Sequence, residues 1–134
     1  MGQHKLRRVL TPSQIVVVGA SEEPGTIGNA VMNNLIAGQF RGTILPINPN
    51  QKQLHHLTCY GSIEELKQET IDLVIITTPI ETVPDILVSS VRQKAAGVMI
   101  MSGSDNEAGE VGDALKAKIL TIANEGGLRI IGPN

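Results

Sequence analysis

Five short apolar segments, each ending in small or turn-forming residues, restrict the folds open to this sequence. Runs rich in valine and isoleucine are typical of strands buried on both faces of a parallel sheet. Segments with helical periodicity separate the runs. The predicted strands are QIVVVGA (14–20), TILPIN (43–48), DLVIITTP (72–79), GVMIMSG (97–103) and LRIIGPN (128–134). The pattern predicts an α/β fold, a doubly wound parallel sheet of about five strands with helices on both faces, in one domain spanning 1–134.

The segments between the strands carry helix boundaries as well as helical faces. Gly38 and Gly126 are natural helix ends, and Pro84 is typical of a helix start. Ser62 and Glu65 form a potential capping box that would open a further short helix. The predicted buried faces are Ile27, Ala30, Val31 and Leu35; Val83, Leu87 and Val91; and Val111, Ala114, Leu115, Ile119, Ile122 and Ala123.

Composition excludes several classes of function. The net charge of −2 provides no basic field for nucleic acid or an anionic membrane. No apolar run approaches the roughly 20 residues needed to cross a bilayer. A single cysteine, Cys59, cannot form an internal disulfide, which favours a reducing, cytoplasmic location. We therefore expect a cytoplasmic protein with neither nucleic acid nor a membrane as a partner.

The carboxyl ends of the predicted strands are polar but carry no recognisable catalytic group. Ligands of doubly wound sheets bind at these ends, near the point where the strand order reverses. Here the ends hold glycine, serine, threonine, asparagine and proline, without Cys, His, Asp or Glu. We predict a binding surface with no catalytic residue and no metal site. His4, His55 and His56 are interpreted as surface residues, and Cys59 as a packed thiol.

The glycine-rich turn GASEEPGTIG (19–28) is the strongest candidate for an anion site. Residues 25–28 would present backbone N–H groups at the start of a helix, where the helix dipole also favours anions. The acidic pair Glu22 and Glu23 would repel a diphosphate, so we expect both side chains to face solvent. The alternative is an ordinary strand-to-helix turn with no ligand.

A dinucleotide is the second ligand class to consider. The glycines at 19, 25 and 28 do not follow the spacing G-x-G-x-x-G, and no carboxylate occurs from Gln39 to Leu57, where an NAD site needs one for its ribose. An NADP site could instead use Arg41 or Lys52 on the 2′-phosphate. An NAD(P)-binding oxidoreductase or redox-sensor domain is therefore the alternative function.

The segment IVVVGASEEPGTIGNAVMNNLIAGQFRGTILPINPN (15–50) resembles the N-terminal CoA-binding domain of NDP-forming acyl-CoA synthetases. This superfamily includes ADP-forming acetyl-CoA synthetase and the succinyl-CoA ligase α-subunit, and synthetase-like protein acetyltransferases contain the same domain. The shared pattern is a strand, G-A-S, P-G-x-x-G, a helix ending N-L-x-x-G-F-x-G, and a strand ending N-P. Gln39 is inserted between Gly38 and Phe40. YGSIEEL, DLVIITTP and LRIIGPN follow in the same order, so the resemblance extends from about Leu6 to Asn134.

The resemblance implies a Rossmann-like site for coenzyme A. The CoA phosphates would lie on the glycine-rich turn, the adenosine beside the second strand, and the pantetheine arm along the third and fourth strands. The residues implied at the turn are Gly19, Ala20, Ser21, Gly25, Thr26, Ile27 and Gly28. Those implied for the rest of CoA are Pro46, Asn48, Asn50 and Lys52 at the adenosine, Thr77, Thr78, Pro79, Ser102 and Gly103 along the pantetheine, and Asn134 near the thiol.

Two departures from the family pattern affect this expectation. Asn50 follows N-P where the family often has a lysine that meets a CoA phosphate, so Lys52 or Arg41 would have to supply the charge. The segment SGSDNE (102–107) lacks the aromatic residue of the family's S-G-F. A ligand-sensing or interaction domain without CoA affinity is a further alternative.

The resemblance also implies that the chain is the N-terminal part of a longer protein. The family passes a phosphoryl group through a histidine in a later domain. The complete synthetase would interconvert acyl-CoA, ADP and phosphate with acid, CoA and ATP. The remaining domains or subunits of that synthetase would be the partners, and this chain alone would bind CoA without turnover. A protein acetyltransferase is the alternative parent.

Overall fold

A five-stranded parallel sheet forms the centre of the computed structural model, which describes residues 2–68, 70–101 and 110–132. The helices are α1 (Gly2–Leu10), α2 (Ile27–Ala37), α3 (Val83–Arg92) and α4 (Glu110–Gly126). The strands of the sheet are β1 (Gln14–Val18), β2 (Thr43–Ile47), β5 (Ile71–Ile76), β6 (Ala95–Ile100) and β7 (Arg129–Ile131). A short antiparallel hairpin, β3 (Gln53–Leu54) and β4 (Leu57–Thr58), follows β2. The predicted fold class is confirmed.

The strand order β2-β1-β5-β6-β7 reverses between β1 and β5. The chain leaves β1 through α2 to reach its outer neighbour β2, and then crosses back to β5 and continues in the other direction. The switch point therefore lies where β1 and β5 end, at Gly19 and Thr77. Doubly wound sheets bind their ligands at this position. Since β2 is an edge strand, it tolerates Pro46, which cannot donate to a neighbouring strand.

Two aliphatic layers cover the faces of the sheet. On one face, α3 and α4 pack through Leu87 and Ile119 against alternate side chains of the strands, such as Val74. On the other face, α2 and the hairpin pack through Met32 and Leu54. Among the described residues, no helix is both long and apolar enough to cross a membrane.

The buried face of α2 is rotated relative to the prediction. Gly28, Val31 and Met32 are buried, whereas Ile27 is 41% exposed and Ala30 is exposed. The close packing of Gly28 on the end of β1 fixes this rotation. In α4, the predicted Ile119 and Ala123 are buried, but Ala114 is exposed.

The predicted capping box at Ser62 is wrong. Ser62 makes no capping hydrogen bond, and the segment forms only a 3₁₀ turn over Ile63–Glu65. Ile63 and Leu66 are both buried, and their spacing of three residues matches the repeat of a 3₁₀ turn. The backbone is extended again at Leu66 and leads into β5.

Candidate ligand-binding site at the switch point

The glycine-rich turn brings the start of α2 into direct contact with the end of β1. A Cβ atom at Gly28 would lie 1.9 Å from the carbonyl oxygen of Gly19. Gly19 has a positive φ of 86° and Gly25 one of 88°, which residues with side chains adopt at a cost. Glycine at these positions therefore allows the chain to turn sharply from the strand into the helix.

Thr26 caps α2 and leaves part of its N-terminus open. Its Oγ1 atom accepts a hydrogen bond from the Asn29 amide at 3.1 Å and donates one to the Glu23 carbonyl at 2.8 Å. The amides of Ile27 and Gly28 lie in the first turn of the helix. The N–H groups of a first turn have no carbonyl acceptor within the helix. Such amides, together with the helix dipole, can bind an anion.

The acidic pair is exposed, as the sequence predicts, but the side chain of Glu22 is hydrogen-bonded to the hairpin. Glu22 and Glu23 are both exposed. The Glu22 carboxylate accepts a hydrogen bond from the backbone N–H of His55 in the hairpin. Ser21 is half-buried, and its Oγ accepts from the Glu23 amide at 2.9 Å.

The end of β2 is tied to the end of β1 by Asn48. The Asn48 side-chain amide donates to the carbonyl of the buried Ala20 at 3.0 Å, and its Oδ1 accepts from the Asn50 amide at 2.9 Å. Asn50 and Lys52 are exposed beyond it. Pro46 is fully buried within β2.

The end of β5 completes the switch point with three polar or turn-forming residues. The Thr77 hydroxyl donates to the Val18 carbonyl at 2.7 Å, which joins β5 to β1 just beyond the strands. The Thr78 and Thr82 hydroxyls are hydrogen-bonded to each other at 2.6 Å. Pro79 is exposed and leads into the 3₁₀ turn before α3.

A cleft of about 390 Å³ opens beside these strand ends, between β2 and α3. Aliphatic side chains from four elements form much of its wall, and polar side chains lie among them. Its volume is in the range typical of small-molecule sites. The lining residues are Val18, Gly19, Ile47, Asn48, Pro49, Gly61, Ser62, Ile63, Glu64, Thr78, Asp85, Ile86 and Ser89.

The structure thus gathers most of the predicted residues at one edge of the sheet. The residues implied at the turn, at the end of β2 and at the end of β5 all belong to this edge. Ser102, Gly103 and Asn134 lie outside the described residues. The sequence interpretation missed the cleft wall contributed by α3 and by residues 61–64. No local signal in the sequence marks this wall, because α3 and residues 61–64 meet the end of β2 only in three dimensions.

Arg41 lies at the wrong end of the sheet to serve this site. It lines a depression with Ser13 and Gln14, at the amino ends of β1 and β2. About 13 Å of strand separates Thr43 from Ile47, since a strand rises about 3.3 Å per residue. The expectation that Arg41 could replace the family's lysine is therefore wrong, which leaves Lys52.

The two hairpin histidines and the cysteine occupy structural positions. His55 and His56 form the two-residue turn of the hairpin, with φ values of 50° and 66°. Cys59 is 8% exposed and belongs to the core. Burial raises the pKa of the Cys59 thiol, and the charge of Glu65 adds to this effect, against hydrogen bonds with the backbone of Asn48 and Tyr60 that lower it. The described residues contain no cluster of three or more metal-binding side chains.

Comparison with known proteins agrees with this geometry. The ADP-forming acetate–CoA ligase II of Archaeoglobus fulgidus is 36% identical over 129 residues, which cover 96% of this chain and 19% of that protein. The α-subunit of the ADP-forming acetate–CoA ligase I of Pyrococcus furiosus is 32% identical over 133 residues, which cover 96% of this chain and 29% of that subunit.

A solved structure shows the same arrangement. The dinucleotide-forming acetyl-coenzyme A synthetase 1 of Ca. Korarchaeum cryptofilum, in complex with phosphate and ADP, superposes with a TM-score of 0.88 and 29% identity, over 96% of this chain and 27% of that one. The chain thus spans less than a third of each of these proteins. Residues 13–134 match the model of the CoA binding domain family. The chain belongs to this family and is homologous to the N-terminal part of ADP-forming acyl-CoA synthetases.

Proposed function

We propose that this domain binds coenzyme A across the β1/β5 switch point and supplies it to an ADP-forming acyl-CoA synthetase. The observation that carries the proposal is the packing of Gly28 on Gly19. This contact sets the start of α2 against the end of β1, beside the cleft, in a chain of the CoA-binding family. An anion at that helix start would meet free amides at the position where doubly wound folds bind phosphates.

In this proposal, each part of CoA has a separate set of contacts. The diphosphate lies at the amides of Ile27 and Gly28, next to Ser21. The 3′-phosphate lies near Lys52, since Asn50 carries no charge. Pro46 supports the site from beneath, because it is fully buried. The remaining contacts are Gly19, Ala20, Gly25, Thr26 and Asn48 around the nucleotide, and Thr77, Thr78, Pro79, Ser102, Gly103 and Asn134 along the pantetheine and thiol.

The catalytic chemistry belongs to other domains or subunits of the synthetase. The relatives are ligases of which this chain matches 19% and 29%. We propose that 1–134 is the CoA-binding domain of a longer cytoplasmic protein, in which it holds CoA while the other parts handle acyl phosphate and nucleotide. Alone, it binds CoA and does not turn it over.

Calorimetric titration of this chain with CoA, dephospho-CoA and NAD⁺ tests the proposal. We expect CoA to bind, dephospho-CoA to bind more weakly because it lacks the 3′-phosphate, and NAD⁺ to give no signal. Binding of NAD⁺ without binding of CoA would overturn the proposal in favour of an oxidoreductase or redox-sensor domain. If none of the three ligands gives a binding signal, this domain has no independent CoA site.

A further inference from the structure

The chain that follows β2 is joined to the glycine-rich turn at three successive residues. The Ala20 carbonyl accepts a hydrogen bond from the Asn48 side chain at 3.0 Å. The Glu22 carboxylate accepts one from the backbone N–H of His55, in the turn of the β3–β4 hairpin. Between these two contacts, the Nε2 atom of His55 lies 3.4 Å from the Ser21 carbonyl oxygen. The hairpin turn therefore rests on the first half of the glycine-rich turn.

The hairpin depends on contacts outside itself for its position. Each of its strands has only two residues, and an isolated two-stranded hairpin is marginally stable at best. His55 and His56 have φ values of 50° and 66°, which are unfavourable for residues with side chains. Leu54 anchors the strands in the core, where 2% of its surface is exposed. The hydrogen bond to Glu22 holds the turn itself.

The same hairpin fixes the backbone of Lys52, which the proposed function places near the 3′-phosphate. The Lys52 carbonyl accepts a hydrogen bond from the Cys59 amide at 2.9 Å, so these two residues continue the pairing of β3 with β4. The glycine-rich turn leads to the amides of Ile27 and Gly28, where the proposed function places the diphosphate. The contact between hairpin and turn thus sets the two groups of phosphate contacts relative to each other.

We infer that Glu22 is a positioning residue for CoA, whose carboxylate holds the hairpin, and with it Lys52, against the glycine-rich turn. This inference rests on the proposed function, since it concerns the same CoA site. The charge of Glu22 alone acts in the opposite direction, because a carboxylate near phosphates lowers the affinity for them. The positional effect and the charge effect of Glu22 therefore have opposite signs, and substitutions can separate them.

The test compares Glu22→Ala with Glu22→Gln in calorimetric titrations of this chain with CoA. Both variants lack the charge, but only the carboxamide oxygen of glutamine can still accept the His55 N–H. We expect Glu22→Ala to bind CoA about fivefold more weakly than the unmodified chain, as for the loss of one hydrogen bond. Glu22→Gln should bind CoA at least as tightly as the unmodified chain, because it keeps the bond and removes the repulsion.

Glu23 provides the matched control. It is an exposed carboxylate in the same turn, and its side chain has no hydrogen bond to residues 53–58, all of which the structure describes. Glu23→Ala and Glu23→Gln should therefore have the same Kd for CoA as each other. That Kd should be no higher than the Kd of the unmodified chain, because only repulsion is removed.

Titration with dephospho-CoA shows whether the effect of Glu22 reaches Lys52. The preference for CoA over dephospho-CoA should fall about threefold in Glu22→Ala, as for a weakened exposed charge pair, and stay unchanged in Glu22→Gln. In a chain that already carries Lys52→Ala, adding Glu22→Ala should not lower this preference further. Two changes that act through one contact are not additive.

Hydrogen exchange of the His55 amide, followed by NMR, reports the contact without any ligand. The amide should be protected in the unmodified chain and in Glu22→Gln, and should exchange about tenfold faster in Glu22→Ala, because local opening is easier once the acceptor is gone. This measurement separates loss of the contact from loss of CoA binding for another reason.

The outcomes distinguish this inference from the proposed function. Equal affinity for CoA in Glu22→Ala and Glu22→Gln, or an unchanged preference for CoA over dephospho-CoA in Glu22→Ala, overturns the inference and leaves CoA binding in place. An unprotected His55 amide in the unmodified chain also overturns it. If the unmodified chain binds no CoA, the proposed function fails and this inference fails with it.

Discussion

Gly28 lies so close to the carbonyl oxygen of Gly19 that a side-chain carbon at residue 28 would come within 1.9 Å of it. The nearest obstacle is backbone rather than a flexible side chain, so local rearrangement cannot relieve the clash. Any residue larger than glycine must move α2 away from β1. The position of the helix start, and so of its free amides, depends on this contact.

Gly28→Ala should destabilise the fold and weaken CoA binding together. We expect the free energy of unfolding to fall by about 2–3 kcal/mol, as for overpacked sites, and the Kd for CoA to rise about tenfold or more. Gly25→Ala is the matched control, because a Cβ at Gly25 meets nothing within 4 Å and only its φ of 88° is unfavourable. Gly25→Ala should lower the free energy of unfolding by about 1 kcal/mol. Urea unfolding and calorimetry measure both effects. Equal stability of the two variants would contradict the packing argument.

Lys52→Ala should selectively weaken the contact with the 3′-phosphate. Lys52 is exposed at the carboxyl end of β2, whereas the equally exposed Arg41 lies at the amino end. We expect the preference for CoA over dephospho-CoA to fall about fivefold in Lys52→Ala, which corresponds to about 1 kcal/mol for an exposed charge pair. The preference of the unmodified chain should also decrease at high salt, because salt screens an exposed charge pair. Arg41→Ala removes the same charge and should leave the preference unchanged. A preference lowered equally in both variants would indicate a general charge effect.

The switch point could be predicted from the sequence because local signals determine it. Nearby residues determine the end of β1 before Gly19, the turn through Gly25 and Gly28, and the end of α2 before Gly38. The cleft could not be predicted, because residues 61–64 and α3 meet the end of β2 only in three dimensions.

The sequence did not predict helix α1 or the hairpin, for a related reason. In α1, Val9 packs where Gly97 of β6 has no side chain, since a Cβ there would lie 2.4 Å from Val9 Cγ2. That contact joins residues far apart in sequence, and the helix itself has a polar composition. The hairpin turns at His55 and His56 with two positive φ values, a geometry that Asn-Gly normally signals.

Cys59 should react slowly with thiol reagents in the folded protein. Its side chain is buried in the core, and burial raises the pKa of the thiol, so little thiolate forms near neutral pH. We expect Ellman's reagent to modify Cys59 in the native chain only at the rate at which the fold opens. In urea, the reagent should modify Cys59 fully. Cys59→Ala should cost about 1 kcal/mol of stability and leave the Kd for CoA unchanged. Rapid modification of the native chain, or loss of CoA binding in Cys59→Ala, would contradict this structural role.

The carboxylate of Asp72 holds α1 and the start of β1 against β5. Arg8 Nε donates to Asp72 Oδ1 at 2.8 Å, and the amides of Ser13 and Gln14 donate to Oδ2 at 2.7 and 3.1 Å. Burial acts to raise the pKa of Asp72, but these hydrogen bonds and the charge of Arg8 outweigh it, so the pKa lies below its ordinary value of 3.8. The charged form is therefore the one that stabilises the fold.

Asp72→Asn should lower the free energy of unfolding by about 1–3 kcal/mol at pH 7, because the amide cannot replace a buried charged acceptor. The sign of the pH dependence follows from the lowered pKa. The stabilisation by Asp72 is complete above 3.8 and is lost as the pH falls through 3.8 toward the lower pKa of the folded state. Urea unfolding between pH 7 and pH 3 should thus show that the free energies of unfolding of Asp72→Asn and of the unmodified chain approach each other as the pH falls. Asp113→Asn changes an exposed carboxylate on α4. Its free energy of unfolding should vary with pH as that of the unmodified chain does. A difference between Asp72→Asn and the unmodified chain that persists unchanged at pH 3 would mean that packing, and not the charge, is the source of the stabilisation.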